Sequence, residues 1–160
     1  MTTQYIPPEW AFEFHGHQCP FMPTGYRMSR LAMAQLGVER EPDHGFFVFP
    51  ELGEAHPQTC LMDGIRFATG ATYGKVLISK TFYGKLAATF YHPQQGAVRL
   101  AIKPDFIDAL GRFEFFVYRK QGVQPSQIPA PVRDEIIHWV YEQSDDALFT
   151  VESRPDFQFK

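Results

Sequence analysis

Cysteine is scarce in this chain. Two in 160 residues, Cys19 and Cys60, provide no disulfide framework, so the fold cannot depend on covalent staples. Long apolar runs are missing as well. No stretch approaches the roughly 18 residues of a membrane span, and Met1 to Glu9 lacks both the basic and the apolar regions of a secretory leader. A cytoplasmic protein with no membrane partner is the expectation. Positive charge is limited: 15 Lys and Arg stand against 18 Asp and Glu, giving a net charge of −3. No basic run is present to follow a phosphate backbone, which sets nucleic acid aside as a partner. Repeats and low-complexity tracts are absent too.

Aromatic residues are abundant, with 16 Phe, 7 Tyr and 2 Trp. A chain of this length buries about 70% of the surface its unfolded form exposes, so most of these rings belong to a core. The expectation is one domain over 1–160, with a core over about 12–120 and a C-terminal helix and arm over about 125–155.

Punctuation by proline and glycine organises the chain. Pro7-Pro8 starts a short helix through about Glu13. A second helix opens with Pro20 as its first residue and stops at Gly37. It carries an apolar stripe, Met22, Tyr26, Met33 and Leu36, and a small-residue face, Gly25, Ser29 and Ala32, where another element can approach closely. A β-prone run over Phe46 to Phe49 precedes a helix over about Thr59 to Thr69, capped by Thr59 and ended by Gly70. Thr69 to Lys75 lacks the Walker spacing and reads as a turn. Val76–Lys80, Leu86–Tyr91 and Ala97–Lys103 read as strands, joined at Tyr83-Gly84 and at Gln94-Gln95-Gly96. With the run at 46–49 they predict an antiparallel meander. Pro104 opens one helix to about Lys120, with Phe106, Leu110, Phe113 and Val117 on its buried face. Pro131 opens an amphipathic helix that buries Val132, Ile136, Trp139 and Val140, and Leu148 to Val151 is a final strand or arm. Helices at both ends of a small antiparallel sheet make the fold class α+β.

Chemistry concentrates in Phe14-His15-Gly16-His17-Gln18-Cys19-Pro20. If residues 15–19 run extended, alternation sends His15, His17 and Cys19 to one side. Cys19 would then cap the helix that Pro20 begins, where the helix dipole favours the thiolate. Cys60 falls in the first turn of the next helix, with Asp63 on the same face. Each cysteine is preceded within four residues by histidine, His15 and His17 for one and His56 for the other.

Those residues also carry a likeness. The stretch from Phe14 to Pro20, then Gly25-Tyr26-Arg27, Cys60-Leu61-Met62-Asp63-Gly64, the turn from Thr69 to Lys75, and Tyr83-Gly84-Lys85 with Thr89-Phe90, resembles the E-subunit family of formylmethanofuran dehydrogenase over about residues 12–118. A looser likeness continues to Asp145-Asp146-Ala147-Leu148-Phe149. The family is associated with molybdenum or tungsten enzymes that reduce carbon dioxide onto methanofuran, and has bacterial members outside that pathway. The resemblance implies an α+β core, a homodimer, and a metal site near His15, His17, Cys19 and Cys60, with Asp63 beside it. It also implies metal-assisted chemistry on a small molecule, or metal and cofactor handling for a one-carbon redox enzyme. Family members often carry a cysteine where this chain has Ala71, and many append a zinc-binding module with further cysteine pairs. Neither feature occurs in these 160 residues.

Three readings follow. In the first, His17, Cys19 and Cys60, completed by His15 or by water, hold a transition ion, with zinc the natural choice and nickel or iron compatible. Four protein ligands would close the site, and three would leave a Lewis-acid position with Asp63 as general base or as orienter of a histidine. In the second, Cys19 or Cys60 is a nucleophile or redox thiol without metal, with a Cys19–Cys60 disulfide as a variant. In the third, the aromatic rings bind a tetrapyrrole or other flat ligand, with a histidine as axial ligand.

Overall fold

The structure is a computed structural model that describes residues 5–159. Pro8 is extended and leads into α1 (Glu9–His15), which Gly16 ends in the left-handed region at φ 100°. The central helix α2 (Phe21–Leu36) follows, closed by Gly37 at φ 68°. Eleven of its residues are buried, from Phe21 through Met33, far more than one amphipathic stripe requires. Its position explains this: α2 lies on the inner face of the sheet and carries α3 (Leu61–Thr69) on its other side.

The sheet has order β1-β2-β3-β4, antiparallel throughout, built from β1 (Phe47–Pro50), β2 (Ala87–His92), β3 (Gly96–Ile102) and β4 (Phe149–Ser153). Register places Val48 opposite Phe90, Phe90 opposite Val98, and Leu100 opposite Val151. The inner face is therefore apolar and meets α2. The outer face carries Phe47, Phe49 and Tyr91, and the C-terminal arm folds back so that Phe157 and Phe159 pack their rings on them.

Three expectations need correction. The segment 76–80 is no strand of the meander. Val76 sits at φ 58°, and residues 77–81 run parallel to β1, exchanging bonds such as Val48 N–H to Leu77 O and Ser79 N–H to Val48 O. A short apolar run such as Val76-Leu77-Ile78 marks extended chain beside a sheet without specifying its direction. The helix over 105–120 is two, α4 (Pro104–Leu110) and α5 (Glu114–Lys120), because the chain breaks at Gly111 and turns extended at Phe113, whose ring reaches Trp139 at 5.0 Å. That break rotates the second half, so Phe115 is buried and Val117 lies 53% exposed. Finally, Thr59 caps nothing: it belongs to a 3-10 turn, Gln58–Cys60, and Cys60 itself stands at the start of α3.

The C-terminal elements are α6 (Ala130–Glu142) and α7 (Asp145–Leu148), tied to α2 by Arg27. This 1%-exposed guanidinium donates to Asp145 Oδ1 at 2.9 Å, to the Val140 carbonyl at 2.9 Å and to the Gln143 carbonyl. A bond from each of its three nitrogens, one of them to a carboxylate, is what makes this buried cation tolerable. Among the described residues no helix is long and apolar enough to cross a membrane.

Candidate metal centre

Two glycines create the centre by letting α2 and α3 cross at backbone contact. A Cβ on Gly25 would stand 2.2 Å from the Leu61 carbonyl oxygen, and one on Gly64 would stand 2.0 Å from that of Met22. Nothing larger than hydrogen fits at either place. Cys19, just before α2, and Cys60, at the start of α3, are thereby brought together, although 41 positions separate them in sequence.

The histidines arrive by a different route from the extended run expected. His15 is the last residue of α1, and the left-handed Gly16 folds the chain so that His17 returns over it, with ring centroids 4.5 Å apart. Helix α2 starts one residue later than expected, so Pro20 and not Cys19 takes the cap position, and the Pro20 carbonyl accepts from Thr24 N–H. Ligating atoms of His15, His17, Cys19 and Cys60 nevertheless all lie within 4.8 Å of one another. Both thiols are free. His15 Nε2 is 3.6 Å from Cys19 Sγ, and His17 Nε2 is 4.0 Å from Cys60 Sγ.

The family described as FmdE, molybdenum formylmethanofuran dehydrogenase operon, matches residues 14–150. The chain belongs to the FmdE family. An Archaeoglobus fulgidus relative described as "Probable S-adenosyl-L-methionine-binding protein" is 33% identical over 124 residues, 70% of this chain and 32% of the relative. The FmdE chain thus spans about a third of that relative's length. A tungsten formylmethanofuran dehydrogenase FmdE-like protein from Syntrophus aciditrophicus shares the fold, with a TM-score of 0.53 and 17% identity, over 96% of this chain and 72% of that one.

Around the FmdE cluster, Asp63 occupies the position behind His15. Its Oδ2 accepts from His15 Nδ1 at 2.6 Å and its Oδ1 accepts from Arg66 at 3.1 Å. With both oxygens engaged, Asp63 fits an orienter better than a general base. When His15 is neutral, as a ligand must be, this contact keeps the proton on Nδ1 and leaves Nε2 facing the sulfurs. Burial opposes charge on His15, but the bond to Asp63, with help from Cys19, outweighs it and lifts the imidazole to about 9. Asp63 is held below its ordinary range, first by the His15 bond.

The thiols divide. Burial alone would raise Cys19, yet hydrogen bonds from Cys60, His15, His17 and the Met22 N–H hold it well below its usual value. Cys60 is pushed up, first by its hydrogen bond to Cys19 and then by burial. Of the two, Cys19 is the thiol that ionises more readily in the metal-free protein. A Cys19 only 1% exposed is poorly placed for attack on a substrate.

His56 was visible in sequence only as a histidine four residues before Cys60. Its Nε2 lies 3.5 Å from Cys60 Sγ, and its pKa is lowered, first by burial and then by Arg119. It stands beside the cluster, outside the set of four. The aromatic rings pack mainly on one another, at the sheet's outer face and between Phe106 and Trp139, which stack at 5.4 Å. Phe12 is the one ring lining the cleft beside His17.

Proposed function

We propose that the chain binds one transition-metal ion, zinc, through His15, His17, Cys19 and Cys60 in a closed four-ligand site, beside a cleft that takes a small molecule. One observation carries this: four soft and borderline donors from two stretches of chain, 15–19 and Cys60, converge within 4.8 Å, and the carboxylate of Asp63 orients one of them from behind. The donor set fits the ion. Ligands of a tetrahedral zinc with bonds of about 2.0–2.3 Å are separated by roughly 3.3–3.8 Å, so the widest pair has to close by about 1 Å, within reach of side-chain rotation. Two sulfurs and two imidazoles favour zinc over the hard oxygen-seeking cations.

When bound, the ion would cross-link the His15–Cys19 stretch to the start of α3 and stabilise the folded chain. The chain's own contributions are separable. Cys19 and Cys60 provide negative charge in a buried place, Asp63 holds His15 in the ligating tautomer, and the half-buried His17 faces a surface cleft. A small-molecule ligand is supported by that cleft, and the description of the Archaeoglobus relative as a binder of a small metabolite is in keeping with it.

Elemental analysis of purified wild type against Cys19→Ser and Cys60→Ser tests the reading. One ion per wild-type chain, lost for the most part in both variants, is the expected result. Retention of metal by both, or no uptake by wild type in a zinc titration, overturns it.

A further inference from the structure

Beside His17 the surface opens into a cleft of about 280 Å³, walled by Glu9, Phe12, Glu13 and Arg133 among others. This is just under the roughly 300–1,000 Å³ typical of small-molecule sites, so an occupant must be small. Its chemistry is set by Arg133, in the first turn of α6. The Nε of this guanidinium is buried and has no hydrogen-bond partner among the described residues. Nor does Arg133 form any of the ion pairs found among them. A permanently charged group with a buried, unused donor is unfavourable unless something accepts from it. Arg133 itself lines the cavity, so a turn of its side chain would bring this donor to an acceptor that a ligand supplies.

We infer that the cleft takes a small monocarboxylate, bound by the Nε edge of Arg133. A guanidinium edge offers two parallel N–H donors, the match for the two oxygens of a planar carboxylate. The face of the half-buried Phe12 receives the apolar body, and His17 lies in the same wall. Glu9 and Glu13, both exposed at the rim, repel a second negative charge and so select against phosphate and dicarboxylates. This inference names the ligand class for the cleft beside the proposed metal site and rests on that reading for the ligand's purpose, while Arg133 itself is not a ligand of the ion.

Benzoate is the probe, with benzamide and inorganic phosphate as comparisons, titrated into zinc-loaded protein labelled with ¹⁵N while the Arg133 Nε–H resonance and the zinc content are followed. Saturable benzoate binding should move that resonance and weaken about tenfold or more in Arg133→Gln. Arg133→Lys, which keeps the charge and loses the fork, should recover only part of it. Benzamide and phosphate should bind more weakly than benzoate, and all three proteins should hold the same zinc. Benzoate binding that survives both variants, equal binding of benzamide, or no benzoate binding at all overturns the inference. Failure of the metal reading registers separately, as absence of zinc, and the benzoate result is scored on the same resonance and variants in that case.

Discussion

His15 with Cys19 and His56 with Cys60 are the same sequence device, an imidazole four residues ahead of a thiol at a helix start. The Nε2-to-Sγ distances are nearly equal, 3.6 and 3.5 Å. Their chemistry is opposite. Cys19 is lowered and its imidazole raised to about 9, whereas Cys60 is raised and its imidazole lowered. What differs is the group behind each ring. Asp63 accepts from the far nitrogen of His15, while His56 has no carboxylate partner and is lowered first by burial and then by the positive charge of Arg119. The comparison teaches that a spacing motif places the donors and a partner from another helix sets their charge.

Breaking the link between the two halves should have the largest effect. In Gly64→Ala the new methyl meets the Met22 carbonyl, a backbone atom that cannot rotate away. A loss of about 3 kcal/mol or more in chemical denaturation, with loss of bound metal, is expected because the helices must separate. Chelation leaves the crossing intact and removes only the shared ion. At a free metal concentration of 100 times Kd the ion stabilises the fold by about 2.7 kcal/mol, so a chelator should lower Tm, and should leave the Tm of the Cys19→Ser/Cys60→Ser double variant unchanged.

Asp63→Asn should make the two halves alike. Metal affinity is expected to fall about 10–100-fold, measured by competition with a chromogenic chelator. In the metal-free variant, His15 should drop from about 9 toward the ordinary value of about 6.5 by NMR titration, because the carboxylate that raises it is gone. His56→Gln should sharpen the contrast by its mildness. It removes a group outside the four ligands, so affinity should fall by less than in Asp63→Asn, with stoichiometry unchanged.

Much of this was legible in the chain. Gly25 and Ser29 marked a close approach, and the approaching element proved to be α3, entering with its own Gly64. Helix ends at Gly37 and Gly70 followed from glycine's access to positive φ, which both adopt. Convergence of His15, His17, Cys19 and Cys60 was anticipated, but the path was not, because extended alternation and a helix end followed by a left-handed glycine can deliver the same side chains. The direction of residues 76–80 was illegible because periodicity does not encode whether an edge pairs parallel or antiparallel. Arg133 gave no signal at all. An unpaired donor is defined by the acceptors that tertiary packing fails to bring, and these lie on elements far from it in sequence.

X-ray absorption at the zinc edge of the loaded protein tests the shared centre most directly. The account predicts two sulfur ligands at about 2.3 Å and two nitrogen ligands at about 2.0–2.1 Å on a single ion. A coordination shell with one sulfur or none would contradict it.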